Sequence, residues 1–480
     1  MNWEPVIGIE VHVELDTDSK MFCGCRVSFG DPPNTHVCPV CLALPGSLPV
    51  PNRKAVERII RLGLALNCRV NPGSVFHRKN YYYADLPKNY QISQFDVPVC
   101  VDGWLDVESD ESRFRVGIER VHMEEDTGKS VHVGEGGRIH SAAETLVDFN
   151  RAGTPLVEVV SRPDLQSAAD ARTYAQELRA VVVETGVSDA RMERGSIRFD
   201  ANVSIRPEGS PKLGMKVEIK NMNSFRSLEK AIRSEIDRQT ALVRAGERVV
   251  METRHWDEEG EVTHGMRTKE GSSDYRYFTE PDLAPMVFDG SWVERARSLL
   301  PELPALRRDR YRGMGVKPAA ARVLASSDPQ LRSLFEDAVE CGADAVAAGN
   351  WVTGEVTASL RRREVSLEDV PLRGHQIADL TRMVGEGRVS AGAAREVLEG
   401  VMDGEGSPSE VAAARNLLQL SDRTALEEVV EEVMAANPEA VERYRAGEGK
   451  VRGYLVGQVM RATSGRADPR AVNEILSTRL

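Results

Sequence analysis

Between residues 6 and 15 apolar and polar positions alternate, with Ile9, Val11, Val13 and Leu15 set against Glu10, His12 and Glu14. Successive side chains of a strand point to opposite faces, so this spacing predicts a strand with one buried face and two carboxylates and an imidazole on the other. The pattern returns at 197–206, where Ile197, Phe199, Ala201, Val203 and Ile205 oppose Arg198, Asp200, Asn202, Ser204 and Arg206. It appears again where Met215, Val217 and Ile219 oppose Lys216, Glu218 and Lys220. Helical spacing runs over 52–66 and 165–185, and Gly and Pro break the rest into short alternating runs. This mixture predicts an α+β domain over 1–290, built on a mixed, largely antiparallel sheet.

After Pro301 the strand signals vanish and apolar residues recur at helical spacing over 319–326, 329–341, 345–363 and 376–385. An all-helical domain over 291–405 follows from that change of period. Asp403-Gly-Glu-Gly-Ser-Pro408 reads as a flexible joint, after which 406–480 forms a small helical tail domain. In the tail, Thr424 and Glu427 have capping-box spacing ahead of Val429, Val430 and Val433, and Asn437-Pro438 should end that helix. Residues 451–462 and 469–480 supply two more helices.

The 480 residues suffice for two or three domains with real cores. Residues 1–10 hold no basic segment followed by an apolar core, and no run of some 18 apolar residues occurs, so a cytoplasmic protein without a membrane span is expected. A net charge of -12 argues against coating nucleic acid by bulk electrostatics but leaves room for a local basic patch. One lies over 443–480, where eight basic residues (Arg443, Arg445, Lys450, Arg452, Arg461, Arg466, Arg470, Arg479) face three acids. Charge alone fits either a polyanion site or a solvated helical face.

Four of the seven cysteines form two short knuckles, Cys23-Gly-Cys25 and Cys38-Pro-Val-Cys41. In a reducing compartment that pairing points to a closed, structural zinc site of four thiolates. Cys68, Cys100 and Cys341 stand alone. Gly128-Lys129-Ser130 imitates the end of a P-loop, but Met123 occupies the position that requires glycine, so the motif is rejected. Carboxylates crowd the run His122-Met-Glu-Glu-Asp126, with Glu119 upstream. Residues 79–90 mix lysines, asparagines and tyrosines that either stack a base and pair phosphates or pack a loop on the sheet. Glu252, Arg254, Arg267, Lys269, Asp274 and Arg276 flank a hairpin turn at 258–260 and read singly as surface charges.

The runs Ile9-Glu-Val-His-Val-Glu-Leu15, Arg78-Lys-Asn-Tyr81, Tyr90-Gln-Ile-Ser-Gln94, His122-Met-Glu-Glu-Asp126, Arg151-Ala-Gly-Thr-Pro155, Lys216-Val-Glu-Ile-Lys-Asn221 and Asp274-Tyr-Arg-Tyr-Phe278 resemble those of the GatB family, one of the component chains of the tRNA-dependent amidotransferases. Gly453-Tyr-Leu-Val-Gly-Gln-Val-Met460 resembles that family's tail domain, so the resemblance spans nearly the whole chain. It implies a catalytic cradle that uses ATP to phosphorylate the side-chain carboxylate of Glu-tRNA(Gln) or Asp-tRNA(Asn). It also implies partners: a glutaminase (amidase) chain that supplies ammonia, a small third chain that completes a heterotrimer, and misacylated tRNA.

By the same resemblance Glu10, His12, Glu125 and, with less support, Glu124 and Glu252 are the expected magnesium ligands and catalytic residues. Hard cations prefer oxygen, so His12 either ligates or orients a water or carboxylate. Facing along the strands adds Asp200, Asn202, Glu218 and Lys220. Lys79, Lys88 and Arg254 are candidates for phosphate. Ala84 stands where the family pattern has proline. The competing reading is a noncatalytic module that presents the acceptor end of tRNA to another enzyme. Whether glutamate, aspartate or both are amidated is not written in the chain.

Overall fold

The computed structural model describes residues 2–109, 112–133, 144–268, 275–326, 329–419, 423–446, 448–463 and 466–479. Lys269 and Asp274 lie outside them. The chain divides into two compact units, Met1–Ala305 and Leu306–Leu480.

In the first unit, nine strands among the described residues form one sheet. Its order is Val262–Thr268, Glu252–Asp257, Val217–Met222, Ile197–Pro207, Trp3–Glu14, Pro155–Ser161, Arg113–Glu125, Cys100–Glu108 and Arg69–Val70. Neighbours run antiparallel except Val217–Met222 and Glu252–Asp257, which are parallel. The α+β architecture with a largely antiparallel mixed sheet is therefore the observed one.

One face of this sheet is closed by helices. Ile7, Ile9, Val11 and Val13 share a cluster with Ala55, Val56 and Ile59 of Arg53–Ala65, with Tyr174 and Leu178 of Ala168–Glu184, and with Leu228 and Ile232 of Phe225–Arg244. Full burial of each such large apolar side chain contributes roughly 1.5–3 kcal/mol. Side-chain oxygens cap the helices: Asn52 accepts from Lys54 N and Ala55 N, Ser167 from Asp170 N, and Ser224 from Ser227 N. The opposite face carries the polar set, because the strand period leaves nowhere else for it.

The second unit has two apolar clusters, one running from Tyr311 to Ala412 and one from Leu426 to Leu476. The segment 403–408 is a built turn. Gly404 and Gly406 take positive φ, Ser407 caps Pro408–Ala414, and Val411 and Ala412 bury in the first of the two clusters. Glycine is required there because side chains avoid that backbone region. Within 345–363 the helical path carries a π-helical turn, Trp351–Val356. Thr357 Oγ1 donates to Val352 O at 2.8 Å there, and the wider turn lets the path continue.

Candidate active site

The site starts from register. Along the central strand Glu10 lies opposite Asp200 and His12 opposite Arg198, while on its other side His12 faces Glu158, which in turn faces His122. Residues directly paired across a ladder share a face, so these side chains gather on the side of the sheet turned away from the helices, where most of them are buried. Two groups of ligand-grade atoms result, each with all atoms within 4.8 Å: His12, Glu124 and Glu158; and Glu10, Asp200 and Glu218. Their anchors on the central strand, Glu10 and His12, are two residues apart, about 7 Å along a strand.

Around the first group, His122 Nε2 lies 3.2 Å from Glu158 and 3.5 Å from Glu124, and His12 Nε2 lies 3.6 Å from Glu158. Ser93 Oγ and Gln91 Nε2 donate to Glu124 at 2.8 and 3.1 Å, and Lys79 Nζ stands 3.9 Å away. Burial raises the Glu124 carboxyl, but the Lys79 charge and the His122 imidazole outweigh it and hold the group down at about 2. Burial works against charging His122 as well. Glu158 and Glu124 overcome it and lift the imidazole to about 9.

Around the second group the balance is acid-rich. Lys220 Nζ meets Asp200 at 2.6 Å and Glu218 at 3.4 Å, and Asn202 Nδ2 donates to Glu10 at 2.9 Å. Burial, joined by the charges of Glu158, Glu218 and Asp200, pushes the Glu10 carboxyl up. Asn202 Oδ1 is buried with no hydrogen-bond partner beside these acids. A buried acceptor without a donor costs free energy, and a cation bound among the carboxylates would supply its missing partner. At the end of the strand Glu14 is pushed up to about 8 by burial and by neighbouring Asp126, which is itself paired with Arg198 at 2.8 Å.

These shifts fix a pH dependence for the metal-free chain. A group whose folded pKa is raised contributes fully below its unfolded value and loses that contribution as pH rises through the folded one. The contribution of His122, on the order of 3 kcal/mol for a shift of that size, should therefore fade between about pH 6.5 and 9. Glu14 fades over about 4.5 to 8 in the same sense. Thermal midpoints measured in chelator should fall across the upper window, and His122→Gln should flatten that fall; a wild-type midpoint constant from pH 6.5 to 9 would contradict the assignment.

Four expected site residues, Glu125, Lys88, Glu252 and Arg254, lie elsewhere. Glu125 follows Glu124 directly, so alternation turns it the other way; it binds Lys88 and accepts from Ile92 N at 3.0 Å. That pair lines a cavity of about 320 Å³ together with Lys20, Phe22, Tyr90 and Cys41. Glu252 and Arg254 also fall on the far side, because their neighbour Thr253 bonds Glu218 on the polar face at 2.9 Å. They pair with each other at 2.6 Å and with Arg238 and Glu235 of the Phe225–Arg244 helix. Glu10 and Glu125 therefore do not converge, and the carboxylates that join Glu10 are Asp200 and Glu218.

Sequence reading missed Glu158 and His122 as members of the site. Glu158 is the lone acid in the otherwise apolar run Pro155-Leu-Val-Glu-Val-Val160, and a solitary charge in a strand buried on both faces is the signal that points to it.

The four knuckle sulfurs, Cys23, Cys25, Cys38 and Cys41, also converge within 4.8 Å, with Cys38 and Cys41 3.9 Å apart. A tetrahedral zinc with Zn–S bonds of about 2.3 Å needs edges of about 3.8 Å, so the donors and their spacing fit it. Cys41 is held down at about 4, chiefly by a hydrogen bond from Cys23 and further by its Cys38 N donor and by Lys20. A preformed thiolate is what zinc takes.

Fold and site together define an α+β domain that gathers carboxylates, imidazoles and lysines on the face of a largely antiparallel sheet turned away from its helices. Residues 5–294 match the GatB/GatE catalytic domain and residues 333–480 the GatB domain. The chain is 50% identical over 481 residues to the B subunit of the aspartyl/glutamyl-tRNA(Asn/Gln) amidotransferase of Moorella thermoacetica, covering 100% of both chains. The proteins of that name from Salinispora arenicola and Thermosynechococcus vestitus are 50% and 47% identical, over 100% of this chain and 96% and 97% of theirs. The chain belongs to the GatB family of these amidotransferases, ligase-type enzymes that form carbon–nitrogen bonds. Among the described residues no helix is long and apolar enough to cross a membrane.

Proposed function

We propose that this chain activates the side-chain carboxylate of Glu-tRNA(Gln), Asp-tRNA(Asn) or both by phosphorylation from ATP, and then forms the amide with ammonia. A carboxylate oxygen attacks the γ-phosphorus and ADP leaves. The nitrogen lone pair then attacks the acyl carbon, and phosphate departs with the former carboxylate oxygen while the nitrogen sheds a proton. A free carboxylate is too poor an acyl donor for the second step alone.

The residues divide this work by charge. His12, Glu124 and Glu158, and Glu10, Asp200 and Glu218 with Asn202, are the sets that would hold magnesium. When bound it offsets the repulsion between a triphosphate and a substrate carboxylate. Lys79 and Lys220 border the two sets as fixed cations. Ser93 and Gln91 hold Glu124 in one rotamer, which keeps its set aligned. The observation that carries this reading is the pair of acid sets two residues apart on one strand, one of them beside an orphaned buried oxygen.

The relatives are named as one component of an amidotransferase, which implies a multi-chain assembly acting on tRNA. The proposed partners are a glutaminase chain that releases ammonia and a small bracing chain. The test is the assembled complex with ATP, glutamine and each mischarged tRNA. ADP and phosphate should appear in step with amide only when the matching tRNA is present. Binding of tRNA with no ATP turnover would instead mark a module that merely presents the acceptor end.

The zinc proposed for the knuckle is structural, since four thiolates leave no open position. Chelation at neutral pH should release about one zinc per chain, lower the thermal midpoint by several degrees, and raise protease cutting within 23–41. Absence of zinc from the purified protein, with those thiols freely alkylated, would remove the site.

A further inference from the structure

We infer that a run of aromatic rings beside the Glu124 group, together with the exposed Arg276 next to two of them in the chain, is the seat for the unpaired 3′ nucleotides of the substrate tRNA. The inference rests on the proposed function, which puts the aminoacylated end of a tRNA at this face.

The rings form one continuous series drawn from three separate segments. Phe95 stacks on Tyr277 with centroids 4.5 Å apart and planes 14° from parallel. Tyr277 meets Tyr275 edge-on at 6.1 Å, Tyr275 meets Tyr81 at 6.2 Å, and Tyr81 meets Tyr83 at 5.8 Å. Two members keep wide access to solvent, Tyr83 at 53% and Phe95 at 51% exposure. Lys79 ties the series to the acid site, its Nζ 5.3 Å from the Tyr275 centroid and 3.9 Å from Glu124.

The backbone holds this arrangement at a cost. Arg276 takes φ +45, a left-handed conformation that side chains other than glycine and asparagine avoid. Asn80 fixes it, its Nδ2 donating to Tyr275 O at 3.1 Å and to Arg276 O at 2.8 Å. The turn thereby leaves Arg276, next in the chain to Tyr275 and Tyr277, exposed, and it has no ion-pair partner among the described residues. Such strain persists where surrounding contacts impose it, and it gathers at ligand-handling sites. Core packing alone would not call for a strained turn that leaves a cation exposed beside two packed tyrosines.

Unpaired nucleotides are bound by the chemistry this strip offers. Bases stack on aromatic faces whatever their sequence, and a guanidinium pairs a phosphate oxygen with two parallel donors. A tRNA carries its amino acid on a single-stranded 3′ end, so a strip whose middle ring, Tyr275, meets Lys79 beside Glu124 would bring the attached carboxylate to the acid site.

The test compares intact tRNA with the same tRNA lacking its last three nucleotides, both competing for the assembled complex. The wild type should prefer the intact form, and Phe95→Leu combined with Tyr277→Leu should lose about tenfold of that preference while binding truncated tRNA as before. In turnover the double variant should raise KM for aminoacyl-tRNA and spare kcat. Tyr277→Phe, which keeps the ring, should behave as wild type. Arg276→Ala should lower the salt dependence of intact tRNA binding by roughly one phosphate contact.

A double variant that keeps the full preference, or that weakens both tRNAs equally, would overturn the proposal and leave the function standing. Failure of the wild-type complex to couple ATP cleavage to amide formation would overturn the function instead.

Discussion

Glu124→Gln is expected to lower amide formation by the assembled complex about a thousandfold, with tRNA affinity changed less than about twofold. The amide keeps the size of the side chain and its contacts with Ser93 and Gln91, but removes the charge that His122, Lys79 and a bound cation require. Affinity for tRNA is spared because phosphate contacts elsewhere supply most of it. Glu252→Gln is the matched control. Its carboxylate pairs with Arg254 and Arg238 on the helix-covered side, so stability should drop while turnover stays within about threefold. Single-turnover amide formation and filter binding on both variants decide the matter. A Glu252→Gln defect as deep as that of Glu124→Gln would place the cation on the wrong face.

Removal of residues 423–480 is expected to weaken tRNA binding by about ten- to a hundredfold and to flatten its salt dependence, as loss of two to four phosphate contacts would. The cut must fall there. Val411 and Ala412 bury in the cluster that begins at Tyr311, so a cut at 406 would open that core, whereas Leu426, Val430, Leu455, Val459 and Leu476 make a cluster of their own. We therefore propose the tail as the segment from 423 onward. Part of its positive charge is already engaged: Arg443 pairs with Glu448 at 2.7 Å, and Arg479 with Glu427 and Glu431 at 3.2 and 3.1 Å. Arg445, Arg461, Arg466 and Arg470 are the better candidates for phosphate. Filter binding from 50 to 300 mM salt tests this, and an unchanged slope would take the tail off the tRNA surface.

Much of the sheet was legible because a period of two is unambiguous when one face is apolar. The strands predicted over 6–15, 197–206 and 215–220 correspond to Trp3–Glu14, Ile197–Pro207 and Val217–Met222, and the helices over 52–66 and 165–185 to Arg53–Ala65 and Ala168–Glu184. The Phe225–Arg244 helix escaped because its apolar stripe is thin, Leu228, Ala231 and Ile232, among many charges. Facing within a strand was equally readable and explains why Asp200, Asn202 and Glu218, chosen by alternation, do join Glu10. The same rule already separates Glu124 from Glu125, and Thr253 from Glu252 and Arg254, whereas the resemblance groups Glu124, Glu125 and Glu252 in one site. Register between distant strands was not legible. That Glu158 stands between His12 and His122 depends on Pro155–Ser161 inserting beside Trp3–Glu14, a pairing about 150 residues apart that no local pattern encodes.

The convergence of the four knuckle thiols was legible in spacing alone, since two close thiol pairs have few other uses. Its setting was not. Cys23 and Cys41 line the same cavity as Lys88 and Glu125, so the metal proposed for the knuckle would brace one wall of a polar chamber on the opposite side from the acid sets.

Oxygen transfer tests the central claim most directly. Glutamyl- or aspartyl-tRNA labelled with ¹⁸O in the side-chain carboxylate is incubated with the assembled complex, ATP and an ammonia source, and the released phosphate is analysed by mass. Activation of the carboxylate by phosphorylation moves one labelled oxygen into each phosphate formed with amide; phosphate that carries no label while amide accumulates would contradict it.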